Sequence, residues 1–388
     1  MSLSDKIDFD NGLVETGDPT ALHRLYARAE AGEDLTIAFL GGSITQGSVA
    51  TDDTLCYAYR VYDWFVRTFP RSRFAYVNAG IGATDSEYGA ARVAEDVLSA
   101  HPDFVLMEFA VNEGANDHYL ETYEGCVRQI LKSRPGVPLI LMNNVFYNEG
   151  SNAERIHREV ARHYALPSLS MRTTIYDAIL AGRFAKEEIT ADDLHPNDIG
   201  HELVARVITT YLEREKSDGD EEAAEACAAG VDVPGAGEDE LAAPLSPNRY
   251  EHSIKYDNRN SDEVIRHIEG FVPDITPRRA VRDCFRYGYS GKERGAYVEY
   301  AVHGACIAIQ YRRTIDLPAP IATVTIDGRE EESIILDANF DQTWGDMLTL
   351  TDVYMSETAA DHTVRIVITE AHPDDRGDFY LAGIIVSG

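Results

Sequence analysis

Short apolar runs and amphipathic segments alternate along roughly the first 215 residues of the chain. The apolar runs are rich in β-branched and aromatic residues, as buried strands are, and they lie at residues 35–41, 74–79, 104–110, 137–145 and 166–170. The segments between them have helical spacing and lie at residues 20–31, 56–69, 86–100, 117–133, 151–163, 173–183 and 198–214. Strands that alternate with helices predict an α/β domain with a parallel sheet covered on both faces.

The pattern changes after residue 247, where short strands predominate. They are predicted at residues 296–302, 305–311, 321–326, 332–336, 363–368 and 379–386. Turn signals such as Asp327-Gly328 separate them, which indicates an all-β sandwich of jelly-roll type. Residues 216–246 are acidic, rich in Ala and Gly and almost free of aromatic residues. We therefore expect an α/β domain over 1–215, an acidic linker or surface strap over 216–246, and a β-sandwich over 247–388.

The net charge of −31 over 388 residues argues against nucleic acid or an anionic membrane as a partner, because phosphate binding needs Lys and Arg. A neutral sugar or ester is compatible with it, although a highly soluble surface explains the charge more simply. No apolar run approaches the ~20 residues of a membrane span, and the N-terminus lacks the pattern of a secretion signal. Cysteines without CxxC spacing predict reduced thiols in a cytoplasmic protein; they are Cys56, Cys126, Cys227, Cys284 and Cys306. The sequence leaves the oligomeric state open, with a homo-oligomer as one option.

The first apolar run, which begins at Leu35, ends on Gly41 and Gly42, and Ser43 follows at once. This pattern predicts a buried strand that turns sharply into a helix, with glycines that let other backbone approach closely. Ser43 would stand at the carboxyl edge of the sheet, where backbone N–H groups and a helix dipole favour a developing negative charge. A nucleophile for acyl transfer fits there, although a serine after two glycines is also common in ordinary turns.

A second candidate segment lies far downstream, at residues 192–197. A serine hydroxyl needs a base to take its proton, and the base needs a carboxylate to orient it. His195 and Asp192 can supply this pair if their loop folds over the Ser43 end of the sheet. Asp193 competes with Asp192, but the three-residue spacing favours Asp192. Asp, His, Pro and Asn are also frequent in plain surface turns. The segment therefore indicates a catalytic pair only in combination with Ser43.

Two further strand ends carry groups suited to binding an oxyanion. Asn112 follows the strand at 104–110, and an amide donor there is worth about 3 kcal/mol of barrier. Asn116 is a second candidate, but Asn112 lies nearer the strand end, where ligand sites of α/β sheets converge. Gly82 and Ala83 follow the strand at 74–79 and offer backbone N–H groups.

The blocks GGSITQG, NAGIGATDS, VNEG and DDLHPN, in this order, resemble the SGNH (GDSL-type) hydrolase superfamily over roughly residues 30–215. The resemblance implies a flavodoxin-like three-layer α/β/α fold with Ser43 as nucleophile, His195 as base and Asp192 as its partner. It also implies an oxyanion hole formed by the Ser43 N–H, an N–H of Gly82 or Ala83, and the Asn112 amide. Two positions depart from the pattern, because Ala83 stands where a Gly is usual and Glu113 where an Asp is frequent. Which second-block residue donates therefore stays open.

An SGNH domain followed by a β-sandwich resembles two-domain carbohydrate esterases that remove acetyl groups from plant glycans such as mannan or xylan. Trp344, in a loop flanked by Gly and acidic residues, is a stacking platform for sugar rings, and we expect it to close over the Ser43 site. Its alternative is a core or interface tryptophan. Tyr147 and His118, just past strand ends, are further candidates for lining the pocket, and Glu108 is an unusual carboxylate within a buried strand.

The predicted function is that of a serine esterase on acetylated oligosaccharides, with activity that falls as the pH drops through the ordinary histidine range near ~6.5. No metal or cofactor is predicted, since the histidines lack metal-ligand spacing. Three alternatives remain: an esterase or lipase acting on another acyl ester, acyl transfer instead of hydrolysis, or a non-catalytic glycan-binding protein on the same fold. A long-chain lipase would want an apolar lid, acceptor sugars would reveal transfer, and a covalent serine probe would decide the non-catalytic case.

Overall fold

The computed structural model describes residues 2–229 and 241–388, with side chains up to residue 219 in the first range. These residues form two compact units. The first comprises Met1–Ile81, Asp85–Gly89 and Val93–Ser246, and the second comprises Gly82–Thr84, Ala90–Arg92 and Pro247–Gly388. No helix in the described ranges is long and apolar enough to cross a bilayer.

The first unit contains a six-stranded sheet with helices between its strands. Its strands are β1 Leu13–Glu15, β2 Asp34–Gly41, β3 Arg73–Gly80, β4 Phe104–Glu108, β5 Leu139–Asn143 and β6 Ser168–Ser170. Its helices are α1 Thr20–Ala31, α2 Ser43–Gln46, α3 Tyr57–Thr68, α4 Ser86–Asp96, α5 Asp117–Ser133, α6 Glu154–His163, α7 Asp177–Leu180 and α8 Asp198–Ala229. The strand order is β1-β6-β5-β4-β2-β3, and β2 to β6 pair in parallel. The predicted α/β fold class is confirmed.

The central strands of this sheet are stabilised by hydrophobic burial. Every residue of β4 and β5 is buried, as expected for parallel strands covered on both faces. Among the aromatic residues of α3, Tyr57 and Phe65 are fully buried, whereas Tyr59, Tyr62 and Trp64 pack at the edge of the core. The aromatic residues of α3 therefore divide between the core and its margin.

Three features of the first unit differ from what the sequence led us to expect or were not predicted at all. β1 pairs antiparallel with β6 at the edge of the sheet, and its three residues are too few to give an alternating pattern. The helix after Ser43 is a single turn, Ser43–Gln46, so its dipole is small. The last helix does not end near residue 214 but continues to Ala229, because the Ala- and Glu-rich sequence has high helix propensity.

Among the described residues of the second unit, nine strands pair antiparallel in one sheet network. They are β7 Ile254–Tyr256, β8 Ile265–Glu269, β9 Phe271–Pro273, β10 Tyr289–Gly291, β11 Tyr297–Arg313, β12 Ile321–Ile326, β13 Ile334–Asp337, β14 Met347–Glu370 and β15 Phe379–Ser387. An all-β second domain is thereby confirmed, and its jelly-roll form stays a prediction. The two strands expected at 296–302 and 305–311 are one strand, β11, because Gly304 lies at a bulge and does not end it.

The chain just after the undescribed residues 230–240 lies against α5 and α6 of the first unit. The buried Glu124 carboxylate accepts the backbone N–H groups of Leu245 (2.6 Å) and Ser246 (2.8 Å). Arg128 donates to the carbonyl of Ala242 at 2.7 Å. The end of the segment predicted as a linker or strap, residues 216–246, therefore lies on the first unit, whereas its beginning belongs to α8. The domain boundaries stay predictions.

The four cysteines whose side chains are described are free thiols: Cys56, Cys126, Cys284 and Cys306. Cys227, the fifth, lies outside the described side chains.

Candidate active site

Ser43 stands at the carboxyl end of β2, as the sequence predicts, and its side chain is largely buried. Of the two glycines before it, Gly41 is needed for close packing. A Cβ on Gly41 would lie 2.2 Å from Thr45 Oγ1 and 2.5 Å from the Glu108 carbonyl oxygen, distances that no real side chain tolerates. The chain therefore turns tightly across the end of β4 and presents the Ser43 hydroxyl at the edge of the sheet.

Two side chains that the sequence did not single out hold this turn in place. Asn78, in β3, donates its amide to the Thr45 carbonyl at 2.8 Å and accepts the Gly80 N–H at 2.9 Å. The hydroxyls of Tyr57 and Thr45 are hydrogen-bonded at 2.7 Å. Such contacts between distant segments leave no local sequence signal, although an Asn within an otherwise apolar strand was a visible anomaly.

The loop before α8 carries the predicted base, and it is fixed at both ends. Asn197 caps α8 by accepting the N–H groups of Ile199 and Gly200, each at 3.0 Å. Within the loop, Asp193 forms an ion pair with Lys186, and its carbonyl accepts the Tyr147 N–H at 2.8 Å. This loop is therefore tied both to the helix that follows it and to the chain that follows β5.

The structure brings Ser43, His195 and Asp192 together in one hydrogen-bonded chain. His195 Nε2 lies 2.9 Å from Ser43 Oγ, and His195 Nδ1 lies 2.6 Å from Asp192 Oδ2. Because a carboxylate only accepts hydrogen bonds, Nδ1 carries the proton of a neutral imidazole. Nε2 is then an acceptor aimed at the serine hydroxyl, which is the arrangement that general-base activation of a nucleophile requires.

Asp192 is the most exposed member of this chain, with 51% of its side chain accessible against 23% for His195. Its Oδ1 accepts the backbone N–H groups of His195 (2.8 Å) and Leu194 (3.1 Å). Partial burial raises the pKa of the Asp192 carboxyl, but the hydrogen bonds from the His195 ring and from these two N–H groups outweigh it and hold the pKa below its ordinary value. These hydrogen bonds therefore favour the ionised form of Asp192.

The candidates for the oxyanion hole follow the ends of β3 and β4, as the sequence predicts. Asn112 is half-buried in the turn after β4, and its backbone N–H donates to the Phe109 carbonyl at 2.9 Å. Asn116 is exposed and instead caps α5, because its side chain accepts the Tyr119 N–H at 3.1 Å. Gly82 and Ala83 follow β3, and Ala83 has a left-handed backbone with a φ of 57°.

Glu113, the residue that departs from the family pattern, anchors the Asn112 turn. Its carboxylate is fully buried, lies 2.7 Å from His157 Nε2, and accepts the Ser86 N–H at 2.7 Å. His157 Nδ1 in turn lies 2.9 Å from Asn143 Oδ1 at the end of β5, and the Tyr123 ring stacks on the imidazole. One side chain thus joins this turn to α4, α6 and β5, a role that sequence reasoning missed because its partners are far apart in the chain.

The predicted substrate-binding residues have three different environments. Trp344 lies between β13 and β14, is 61% exposed, and meets the Phe340 ring edge to face, so it is not a core residue. His118 is half-buried at the start of α5 and pairs with Glu87 at 3.2 Å. Tyr147 is buried, with 1% of its surface accessible, and so contributes to the packing behind the site.

His201 is fully buried on α8. Its Nδ1 accepts the Tyr57 N–H at 3.3 Å and its Nε2 lies 3.2 Å from the Ser48 carbonyl. Burial lowers the pKa of His201 to about 4, despite its hydrogen bond to Ser48, so the ring is neutral. Both ring nitrogens are occupied within the protein, which leaves neither for a metal.

The first unit is similar to known hydrolases. Residues 39–203 match the model of the GDSL-like lipase/acylhydrolase family, a range that includes Ser43, Asn112 and His195. A curated acetylxylan esterase of Geobacillus stearothermophilus is 26% identical over 207 residues, which is 44% of this chain and 90% of that protein.

Solved structures extend the similarity to the second unit. The crystal structure of a two-domain esterase active on acetylated mannans has 44% identity and a TM-score of 0.91, covering 98% of this chain and 99% of that one. The same kind of esterase co-crystallised with mannopentaose has 44% identity and a TM-score of 0.90, with 98% of both chains covered. Because the likeness runs the full length of both chains, the protein belongs to the GDSL-like lipase/acylhydrolase family and is a carboxylic ester hydrolase.

Proposed function

We propose that this enzyme hydrolyses O-acetyl esters on plant-glycan oligosaccharides of the mannan or xylan type. The observation that carries the chemistry is the hydrogen-bonded chain from Ser43 through His195 to Asp192, with distances of 2.9 Å and 2.6 Å. The substrate class is supported by the mannan esterase that matches 98% of this chain at 44% identity. The acetylxylan esterase covers only 44% of the chain at 26% identity, so mannan is the better candidate.

The first half of the reaction acylates the enzyme. His195 Nε2 takes the Ser43 proton while Ser43 Oγ attacks the acetyl carbonyl carbon, which gives a tetrahedral oxyanion. The Ser43 N–H, an N–H of the Gly82–Ala83 turn and the Asn112 amide are the proposed donors to this oxyanion. The imidazolium then gives its proton to the departing sugar oxygen, the ester bond breaks, and acetyl-Ser43 remains.

The second half frees the enzyme by the same steps with water. His195 takes a proton from the water, the hydroxide attacks acetyl-Ser43, and the collapse of the second oxyanion returns the proton to Ser43 Oγ with release of acetate. Ionised Asp192 stabilises the imidazolium in both halves. Trp344, exposed on its own loop, is the proposed platform for a sugar ring.

The decisive experiment measures acetate release from acetylated mannan and xylan oligosaccharides by the wild type and by Ser43→Ala. We expect release by the wild type that vanishes in the variant, with the faster substrate naming the sugar. If the wild type cleaves a small aryl acetate but neither glycan, the ester chemistry stands and the glycan assignment fails. Labelling of Ser43 by a covalent serine probe excludes a non-catalytic protein.

A further inference from the structure

A cluster of buried polar side chains lies behind the candidate active site and is not used by the proposed reaction. Its centre is Glu108, the last residue of β4, which is 1% exposed. Around it are Asn144, Tyr123 and Tyr147, of which Asn144 is 0% and Tyr147 is 1% exposed. We name these four residues the Glu108 cluster. A carboxyl in such a place costs free energy unless it is neutral or well paired.

The polar atoms of the Glu108 cluster have few partners. Among the described residues, no hydrogen-bond partner exists for Glu108 Oε1, for either polar side-chain atom of Asn144, or for the Tyr123 and Tyr147 hydroxyls. The Asn144 side chain lies near the Glu108 carboxyl, and the backbone N–H groups of Ala110 and Asn144 donate to that carboxyl. No Lys or Arg of the described residues forms an ion pair with Glu108, so an ionised carboxylate there would be a buried charge without a cationic partner.

The charges and titratable groups that face Glu108 all oppose its ionisation or are neutral. Burial is the largest influence and raises the pKa of Glu108 to about 8, while Asn144 and the Ala110 N–H oppose the rise and the nearby Glu113 carboxylate adds to it. Tyr57 of α3, Tyr123 of α5 and Tyr147 after β5 each face this carboxyl, and their own pKa values are raised chiefly by burial.

The Glu108 cluster lies next to the segments that carry Ser43, Asn112 and His195. Glu108 is paired in register with Gly41, two residues before Ser43. The turn that follows it leads to Asn112, and the carbonyl of Ala110 in that turn accepts the Ala153 N–H at 2.8 Å. On the other side, the Tyr147 N–H donates to the loop of His195 at Asp193.

We propose that Glu108 is a positioning residue that works as a neutral carboxylic acid, and that a negative charge at this place disables the site. The charge would repel Glu113, which anchors the Asn112 turn, and it would oppose the oxyanion that the turn is proposed to stabilise. Because only the neutral form is competent, Glu108 sets an alkaline limit to activity. The inference rests on the proposed esterase reaction.

The test is the pH profile of acetate release from acetylated manno-oligosaccharides by the wild type, Glu108→Gln and Glu215→Gln, with Ser43→Ala as the blank. Glutamine has the shape of the acid and cannot ionise. For the wild type we expect about a tenfold fall in kcat between pH ~7 and ~9, the loss that one ionisation near pH 8 gives. Glu108→Gln should keep its kcat at pH ~7 and lose less than about twofold over the same range.

Glu215→Gln is the matched control, because Glu215 is also a buried carboxylate of the first unit but pairs with Arg214 on α8. It should keep the wild-type alkaline fall. The inference is overturned if Glu108→Gln shows the wild-type fall, or if it loses activity at pH ~7 while folded. The proposed function fails separately, if wild type and Ser43→Ala release acetate equally at pH ~7.

A second measurement does not depend on activity. A folded-state pKa raised above the unfolded value stabilises the fold below the unfolded value, and this contribution is lost as the pH rises to the folded value. The urea midpoint of the wild type should therefore fall relative to that of Glu108→Gln as the pH rises from ~5 to ~8. Parallel curves for the two proteins would overturn the inference even if no substrate were found.

Discussion

Replacing Asp192 by asparagine tests the orientation of His195 with a side chain of the same size. In the variant, Oδ1 can still accept the N–H groups of His195 and Leu194, at present 2.8 Å and 3.1 Å away. The Asn amide nitrogen would then face His195 Nδ1, which lies 2.6 Å from Oδ2 in the wild type. Two donors cannot face each other, so the ring is forced into the tautomer whose Nε2 carries a proton and cannot accept one from Ser43.

The magnitude follows from the exposure of Asp192. A carboxylate about 4 Å from an imidazolium stabilises it by about 1 to 4 kcal/mol at an effective dielectric between that of water and that of a protein surface. With 51% of its side chain accessible, Asp192 belongs to the weaker half of that range before the tautomer penalty is added. We expect kcat to fall about 10²-fold, less than the ~10⁴-fold known for a buried triad aspartate, with little change in KM.

Asp193→Asn provides the matched control. Asp193 is adjacent, has the same chemistry, and lies in the left-handed region with a φ of 67°, which Asn tolerates well. Its carboxylate contacts Lys186 and not the imidazole, so kcat should stay within about twofold of the wild type. The assay is steady-state hydrolysis of an aryl acetate and of acetylated oligosaccharides. An equal loss in both variants, or no loss in Asp192→Asn, would refute the reasoning.

Two further predictions test the oxyanion donor and the sugar platform. Asn112→Ala should lower kcat by about 10²- to 10³-fold, the effect of one lost oxyanion donor. Asn116→Ala should leave kcat unchanged and cost about 1 kcal/mol of stability, because the α5 cap is lost. Kinetics together with thermal unfolding checks both variants, and the reverse pattern would move the donor to Asn116. Trp344→Ala should raise KM for acetylated oligosaccharides by about 2- to 10-fold, the worth of an aromatic contact, and leave aryl acetate hydrolysis intact; unchanged kinetics on the oligosaccharide would remove Trp344 from the substrate site.

The sequence alone predicted most strands and helices of the first unit, because apolar runs and glycine turns are features of neighbouring residues. The runs at 35–41 and 104–110 are apolar apart from Thr36 and Glu108, and a strand buried on both faces needs such a nearly continuous apolar run. The glycine pair before Ser43 was informative for the same reason, since the Gly41 Cβ position is blocked by Thr45 and Glu108. Short edge strands such as β1 and β9 escaped detection, because three residues cannot establish a period.

The tertiary structure decided which groups act together. The sequence named Ser43 and His195, but only folding brings atoms 152 residues apart to 2.9 Å, and only the structure distinguishes Asp192, on the imidazole, from Asp193, on Lys186. The network of Glu113, His157 and Asn143, the support of the Ser43 turn by Asn78, and the neutral environment of Glu108 are long-range as well. A side chain's partners and its dielectric surroundings are set by segments far away in the chain, and no local pattern of residues encodes them.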